Sequence, residues 1–149
     1  MTNLPSHKLL YLATPYTKYP GGIEAAFIAA CKLAAKLLQA GAKVYSPIAH
    51  THPIALHGGI NPLDHDIWLP FDSAMMTLAD GLLVGQLPGW SESKGVLHEI
   101  DVFRKAGKPM HFVFTDNITL EPLTPEHAKR LTEPRDSKQF TKAESWPLY

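Results

Sequence analysis

Short apolar runs alternate along the chain with longer segments whose apolar residues recur at helical spacing. Runs such as LLYLA and GLLVG are typical of buried strands, and the pattern predicts strands over 9–13, 43–45, 81–85 and 110–114. Apolar residues three and four positions apart predict a helix that starts at Ile23 and stops before Gly41. The same spacing predicts helices over 66–79 and 93–106.

This alternation of strands and helices predicts an α/β fold. Parallel neighbouring strands need crossover connections, which the helices supply, so we expect a mainly parallel sheet with helices on both faces. Ligands of such sheets bind beyond the carboxyl ends of the strands. The loops over 14–22, 46–62 and 86–93 are expected at that edge.

Two regions show no clear period. Residues 48–62 are rich in histidine, proline and glycine and are predicted to form a long loop, which in a compact domain is usually functional. Residues 116–149 combine prolines with many charges, and we predict a peripheral tail with one short helix near 125–132. The α/β domain then spans residues 1–115. The helix over 66–79 contains Pro70, which a helix tolerates in its first turn.

Length and charge limit the possible partners. The chain has 149 residues, with 14 basic and 14 acidic side chains, which suits one domain without a broad positive surface. Binding to a nucleic-acid polymer is not expected, because it requires many phosphates to be neutralised. The start, MTNLPSHK, does not resemble a signal peptide, and no run approaches the roughly 18 apolar residues of a membrane span. We therefore expect a cytoplasmic protein without a membrane partner.

Glu99 interrupts the apolar stripe of the helix over 93–106. It shares core-facing spacing with Val96, Ile100 and Phe103, so it occupies a position that normally holds a hydrophobic residue. Gly95, four residues earlier on the same face, leaves space beside the carboxylate. A small ligand would fit there. The alternative is that Glu99 lies at the edge of the stripe and pairs with a basic residue of its own helix.

The start of this helix is suited to an anion. Ser91, Ser93 and the backbone N–H groups near Gly95 follow a strand and a turn and open the helix. Hydroxyls together with free N–H groups bind a phosphate or a carboxylate.

Asp72 repeats the pattern of Glu99 in the preceding helix. It lies three or four residues from Leu69, Met75 and Met76, so it also has apolar neighbours. Unpaired burial would raise its pKa and suit it to donate a proton. The alternative is a solvated aspartate on the helix surface. Asp80, directly before a strand, is interpreted as a turn or capping residue.

Three segments of the chain form a series: YLATPYT at 11–17, the D-x7-D spacing from Asp72 to Asp80, and S-x-G-V-x-x-E from Ser93 to Glu99. Together they resemble the nucleoside 2-deoxyribosyltransferase superfamily, especially its nucleoside 5′-monophosphate N-glycosidase branch. The resemblance covers about residues 8–115. It implies a flavodoxin-like or Rossmann-like three-layer sandwich with a mainly parallel sheet of four or five strands.

The resemblance also implies a double displacement at the sugar's anomeric carbon. Glu99 matches the family's nucleophile, and Asp72 matches the carboxylate that protonates the departing base. Tyr11 matches a tyrosine that orients the nucleophile. Ser93 matches the serine that holds a 5′-phosphate, where the transferase branch typically has an aspartate. A neutral hydroxyl donates to a phosphate that an aspartate would repel.

The partner that follows is a small nucleotide or nucleoside, and the mechanism needs no cofactor or metal ion. The expected reaction is the release of a free base from a nucleoside 5′-monophosphate, with deoxyribosyl transfer between bases as the alternative. The family further implies a homodimer or a larger homo-oligomer whose neighbouring subunit completes the site.

The first loop departs from the family pattern. Relatives commonly have G-S-x-R-G-G there, whereas this chain has TPYTKYPGG at 14–22. Lys18 can replace the arginine's charge but not its two-pronged geometry. We include Thr14 and Tyr16 of this loop among the candidate binding residues. An aromatic side chain such as Tyr16 or Trp68 would stack on a base.

Two other classes of function fit parts of the sequence. The histidines between 50 and 65, with Asp64 and Asp66 alongside, suggest a metal-dependent hydrolase, although no H-E-x-x-H helix is present. A nucleotide-binding module that retains the phosphate site but performs no chemistry is the non-enzymatic alternative. Replacing Glu99 separates it from an enzyme.

Overall fold

The structure is a computed structural model that describes residues 8–133. Its strands and helices alternate along most of the chain. The strands are β1 (Leu9–Ala13), β2 (Lys43–Tyr45), β3 (Gly81–Gly85), β4 (Met110–Phe114) and β5 (Thr119–Pro122). The helices are α1 (Ile23–Gln39), α2 (Pro47–Gly58), α3 (His65–Leu78), α4 (Lys94–Lys105) and α5 (Pro125–Thr132), with a short 3-10 helix at Trp90–Glu92.

The five strands form one sheet in the order β2-β1-β3-β4-β5. The first four run parallel, and β5 pairs antiparallel with β4. Successive strand residues point to opposite faces, so β1 sends Leu10 and Leu12 toward α1 on one face and Tyr11 and Ala13 toward α3 and α4 on the other. The result is a three-layer α/β sandwich with a mainly parallel sheet, as the sequence predicts.

The prediction of a long loop over 48–62 is wrong, because most of these residues form helix α2. Ser46 caps its start by accepting a hydrogen bond from the Ala49 N–H at 3.2 Å, and Pro47 takes the first turn, where a missing N–H costs nothing. Gly59 ends the helix in the left-handed conformation at φ 72°. These end signals are present in the sequence, but Pro53 and the scattered apolar residues obscure the period between them.

Part of the predicted peripheral tail from residue 116 belongs to the sheet as strand β5. Residues 119–122 extend the sheet, and the segment after them supplies the buried Leu123 and Ala128 to the core under α4 and α5. The short helix near 125–132 is confirmed. The rest of the predicted tail, from residue 134, and the start of the chain before residue 8 lie outside the described residues.

The sequence analysis required Pro70 to lie in the first turn of its helix, and this prediction is wrong. Helix α3 begins at His65, so Pro70 is in the second turn, on an exposed face. Asp64 caps the start with a hydrogen bond from the Asp66 N–H. The helix continues past the proline because its inner face packs in the protein.

The strand order reverses between β1 and β3, which is where flavodoxin-like sheets bind ligands. The loops that follow these two strands lie against each other. Gly89, at φ 90°, has no room for a side chain because the Lys18 carbonyl occupies that space. A Cβ on Gly85 would likewise meet Thr14 and Leu33. The two glycines therefore allow the loops to close over this edge.

Candidate active site

Glu99 is buried on the inner face of α4. Its exposed fraction is 5%, and its stripe neighbours Val96, Ile100 and Phe103 are fully buried, as their spacing predicts. Arg104 pairs with Asp101 at 2.8 Å. The alternative that places Glu99 at the edge of the stripe is therefore wrong. Gly95 is buried one turn earlier.

Asp72 is also buried, with an exposed fraction of 2%. It lies on the inner face of α3 with Trp68 and Met76, one helical turn away on either side. The alternative of a solvated surface aspartate is therefore wrong. Asp80, by contrast, serves a local role, because its carboxylate accepts the Leu9 N–H at 2.9 Å and ties the end of α3 to β1.

Two tyrosines from adjacent strands lie beside these acids. Tyr11 of β1 and Tyr45 of β2 are register partners in the parallel pair, so both side chains leave the same face of the sheet. Their ring centroids are 5.7 Å apart, and Tyr11 is also 5.7 Å from Phe103 of α4. Burial raises the pKa of both tyrosines, and the charges of Glu99 and Asp72 raise it further. The four polar groups thus form one cluster, which we call the acidic cluster.

Sequence analysis missed Tyr45. The signal was available, since Tyr45 ends a predicted strand and Tyr11 stands at the matching position of the neighbouring one. Only the observed register brings the two together.

The acidic cluster holds its carboxyl groups in unequal environments. Burial raises the pKa of Asp72 to about 7. Burial also raises the pKa of Glu99 well above its usual range, and the charge of Asp72 adds to this, while the Tyr11 hydroxyl acts in the opposite direction. Tyr11 approaches Glu99 closely enough to favour its charged form, but outside regular hydrogen-bond geometry. Of the two acids, Glu99 therefore has a neighbour that favours ionisation.

Several polar atoms of the cluster are buried without a hydrogen-bond partner. They are both carboxylate oxygens of Asp72 and the hydroxyls of Tyr11 and Tyr45. The hydroxyl of Thr14, at the carboxyl end of β1, is in the same state. Folded proteins pair nearly all such atoms, because an unpaired one costs about 1–3 kcal/mol. The grouping of the unpaired Asp72, Tyr11 and Tyr45 atoms indicates a site at which a ligand supplies the missing hydrogen bonds.

Ser93 caps the start of α4. Its hydroxyl oxygen accepts the Val96 N–H at 3.2 Å, and the residue is fully buried. The capping bond uses the oxygen as acceptor, so the hydroxyl proton is still able to reach an anion. Ser91, in the 3-10 helix, instead donates to the exposed Glu92 at 3.0 Å. Lys18 is exposed on the first loop.

Tyr16 and Trp68 belong to a separate apolar cluster between α1, α2 and α3. Trp68 donates its ring N–H to the Asn61 carbonyl at 3.0 Å. The Tyr16 hydroxyl lies 2.6 Å from His52 Nδ1, and His52 Nε2 lies 2.7 Å from the Glu24 carboxylate. The structure thus gives the polar atoms of both aromatic residues partners within the protein, and it does not bring them into the acidic cluster.

The histidines of the 50–65 region do not converge. Both ring nitrogens of His52 are engaged by Tyr16 and Glu24, and His50 stacks on Phe71 with ring centroids 5.2 Å apart. Within residues 8–133, no three side chains of His, Cys, Asp or Glu are grouped so that they would hold a metal ion. The hypothesis of a metal-dependent hydrolase therefore finds no set of ligands in this part of the chain.

The length and the apolar character of the helices decide whether one of them could span a membrane. None of those in residues 8–133 combines the length and the apolar character needed to cross a bilayer.

Fold and site together define a class of protein: a doubly wound α/β domain with two buried acids beside one face of its sheet. The chain belongs to the family described as domain of unknown function DUF1937, whose model matches residues 8–115. A search of curated proteins gave no match. The matched span includes every residue of the acidic cluster.

Proposed function

We propose that the protein is an N-glycosidase that releases the base from a nucleoside 5′-monophosphate and uses no cofactor. The observation that carries the proposal is the acidic cluster itself. Two buried carboxyl groups and two unpaired tyrosine hydroxyls share one patch of the sheet face. Glycosidases use a pair of acids in this way, one as nucleophile and one as proton donor.

The unequal environments of the two acids support distinct roles. Burial raises the pKa of Glu99, and the neighbouring Tyr11 hydroxyl opposes that rise, so Tyr11 favours the carboxylate form that a nucleophile needs. Asp72 has no hydrogen-bond partner, and its pKa of about 7 keeps much of it protonated near neutral pH, as a proton donor requires. Pairs of titratable groups with different environments are how sites separate acid from base.

The reaction then takes place in two steps. A Glu99 carboxylate oxygen bonds to C1′ of the sugar while the bond from C1′ to the base nitrogen breaks, and the Asp72 proton moves to the departing base. Water next attacks C1′ and gives its proton to the Asp72 carboxylate. The bond to Glu99 breaks, and both acids return to their starting states.

Ser93 supports a phosphorylated substrate. It opens a helix of 12 residues, whose N-terminal end attracts negative charge, and its hydroxyl keeps a proton to donate. Lys18 on the adjacent loop adds a positive charge close to the same edge of the sheet. The substrate class is therefore a nucleotide, with deoxyribose as the sugar that the family resemblance suggests.

An aromatic stack lies between the acidic cluster and solvent. Tyr45 borders the acids, His50 and Phe71 stack with planes 22° apart, and Phe71 is 40% exposed. Because the Asp72 oxygens are themselves covered, a substrate reaches them when a neighbouring side chain moves. The stack is the outermost part of the cover, and its flat rings suit contact with a base.

The proposal also includes the cellular location and the oligomeric state of the protein. A nucleotide substrate is consistent with a cytoplasmic protein, and the resemblance to a family of oligomers suggests more than one copy in the active assembly.

The test is to incubate the full chain with a panel of nucleosides and their 5′-monophosphates and to measure free base by chromatography. We expect base release from at least one monophosphate and little from the matching nucleoside. Adding an acceptor base distinguishes hydrolysis from transfer, because only transfer yields a new nucleoside. Glu92→Gln is the matched control for Glu99→Gln, since Glu92 is an exposed glutamate of the neighbouring 3-10 helix.

Two results would contradict the proposal. One is base release that Glu99→Gln leaves unchanged. The other is tight nucleotide binding without any base release by the wild-type chain, which would favour the binding module instead.

A further inference from the structure

The tyrosine that ends β2 connects the acidic cluster with the aromatic stack above it. The ring centroid of Tyr45 is 5.7 Å from that of Tyr11, 5.9 Å from that of His50 and 6.4 Å from that of Phe71. Phe71 lies on the outer face of α3 and is 40% exposed. The proposed reaction gives roles to both acids and, through the family resemblance, to Tyr11, but it leaves Tyr45 without one.

The hydroxyl of Tyr45 is buried although its ring reaches the outer stack. Among the described residues this hydroxyl has no hydrogen-bond partner, and both carboxyl oxygens of Asp72 are in the same state. Such atoms are rare in folded proteins, because each costs about 1–3 kcal/mol. A donor without an acceptor and a carboxyl group without a donor therefore lie in one cluster.

The two tyrosines of the cluster stand beside different acids. Burial raises the pKa of Tyr11, and of the two acids Glu99 adds more to that rise. The Tyr11 hydroxyl in turn favours the charged form of Glu99. Burial also raises the pKa of Tyr45, but here Asp72 adds more than Glu99 does. Tyr11 is thus the neighbour of Glu99, and Tyr45 is the neighbour of Asp72.

The groups around Asp72 leave Tyr45 as its donor. Asp72 faces ionisable groups of three other elements, which are Tyr11 of β1, Tyr45 of β2 and Glu99 of α4. His50 of α2 contacts the Tyr45 ring. The Lys108 ammonium group donates to the backbone carbonyls of residues 76, 77 and 79 at the end of α3. Glu99 repels a charged Asp72, and Tyr11 is engaged by Glu99, so Tyr45 is the group placed to donate.

We propose that Tyr45 is the positioning residue of Asp72, and that its hydroxyl donates a hydrogen bond to the Asp72 carboxylate once the aspartate has lost its proton. The inference rests on the proposed function, in which that proton goes to the departing base. Tyr45 keeps its own proton throughout. The proton moves from Asp72 to the base in the first step and from water to Asp72 in the second. Neighbouring strands then each supply one tyrosine to one acid.

Removing the donor should change the titration of Asp72. A hydrogen bond to the charged form of a carboxyl group lowers its pKa, so Tyr45→Phe should raise the pKa of Asp72. The variant keeps the ring that packs against Tyr11 and Phe71. The fall in rate at alkaline pH should move upward by about one pH unit. The value of kcat should decrease about 10-fold, because Asp72 becomes a weaker proton donor, whereas KM should change little.

The pKa of Asp72 is measured on the full chain without substrate, by ¹³C NMR of the carboxyl carbons. We expect Tyr45→Phe to raise the pKa of Asp72 more than that of Glu99, and Tyr11→Phe to do the reverse. Tyr19→Phe is the matched control, because Tyr19 is a half-buried tyrosine that packs against other clusters, and it should change neither acid. An Asp72 pKa that Tyr45→Phe leaves unchanged, or that Tyr11→Phe changes more strongly, would overturn the proposal.

A measurement on the wild-type chain covers the case in which Tyr45→Phe fails to fold. The ¹³Cζ signal of Tyr45 should shift as Asp72 titrates near pH 7, and the shift should be absent in Asp72→Asn. A Tyr45 signal that ignores this titration, or that keeps the same shift in Asp72→Asn, would also overturn the proposal. Because these NMR measurements use no substrate, a chain that releases no base would refute the proposed function and leave the pairing of Tyr45 with Asp72 to be decided separately.

Discussion

Two regions of the molecule bury a tyrosine in a polar cluster that includes a carboxyl group, and they differ in whether the buried polar atoms have hydrogen-bond partners. In the first, Tyr16, His52 and Glu24 form a chain of contacts at 2.6 and 2.7 Å. A neutral His52 with its proton on Nε2 satisfies this chain, as it accepts from the Tyr16 hydroxyl and donates to Glu24. In the second, the acidic cluster, the Tyr11 hydroxyl and both Asp72 oxygens have no partner.

We interpret the difference as one between a structural role and the proposed functional one. A satisfied buried network stabilises one arrangement of the chain, here the packing of the first loop against α1 and α2. An unsatisfied cluster lowers stability, and a protein retains it where the groups serve a ligand or a reaction. The five predictions below test this contrast, from the largest expected effect to the smallest.

Glu99→Gln should produce the largest change. If Glu99 is the proposed nucleophile, base release should fall by roughly 1,000-fold or more. The free energy of unfolding should not fall, since the amide fills the same space and removes a buried charge. Chromatography of released base and chemical denaturation measure the two effects. A variant that loses stability but keeps its activity would make Glu99 a structural residue.

If Asp72 is the proposed proton donor, Asp72→Asn should reduce the rate about 100-fold to 10,000-fold, because the departing base then receives no proton. In the wild type, the rate should fall as the pH rises above about 7, where Asp72 loses its proton. The variant should lack this alkaline limb. If the variant kept the fall in rate at alkaline pH, a group other than Asp72 would be responsible for that fall.

The same variant should change how stability depends on pH. The pKa of Asp72 is raised from 3.8 to about 7 by folding, so the folded state binds more protons between these values. Wild-type stability therefore decreases as the pH rises through this window. Asp72→Asn does not titrate, and its advantage over the wild type should grow to on the order of 2–4 kcal/mol at pH 7. Denaturation at pH 4 and pH 7 gives the comparison.

Two tyrosine variants give the most direct comparison of the regions. Tyr16→Phe leaves the buried His52 Nδ1 without a donor and should cost roughly 1–3 kcal/mol of stability, with little effect on catalysis. Tyr11→Phe removes an unpaired hydroxyl, so it should cost little stability but slow the reaction about 10-fold to 100-fold. Thermal melting and initial rates report both. If Tyr16→Phe slowed the reaction and Tyr11→Phe lowered the stability, the roles assigned to the two regions would be reversed.

Glu24→Gln should have the smallest effect. The Glu24 side chain is 64% exposed, so its contact with His52 is partly screened by water. The amide oxygen can still accept from the imidazole N–H. We expect a loss below about 1 kcal/mol and an unchanged rate, as measured by melting and by base release. A large loss would mean that the network depends on the carboxylate charge.

Most of the strands and helices could be predicted from the sequence. Four strands and the helices that begin near residues 23, 66 and 93 follow from apolar periodicity, because a strand or helix buries one face and repeats that face at a fixed interval. Periodicity also identified Glu99 and Asp72 as polar residues in apolar positions. It missed α2, where Pro53 and histidines obscure the period, and β5, whose residues are mostly exposed at the sheet edge.

By itself, the sequence determined the class of fold and the identity of the two acids, since both are encoded in the spacing of residues along single helices and strands. Only the tertiary structure decided that Tyr45 joins Tyr11, that Tyr16 belongs with His52, and that the outer face of α3 remains uncovered. Those facts depend on strand register and on helix packing, which bring together residues distant in the chain. No periodicity within one segment contains that information.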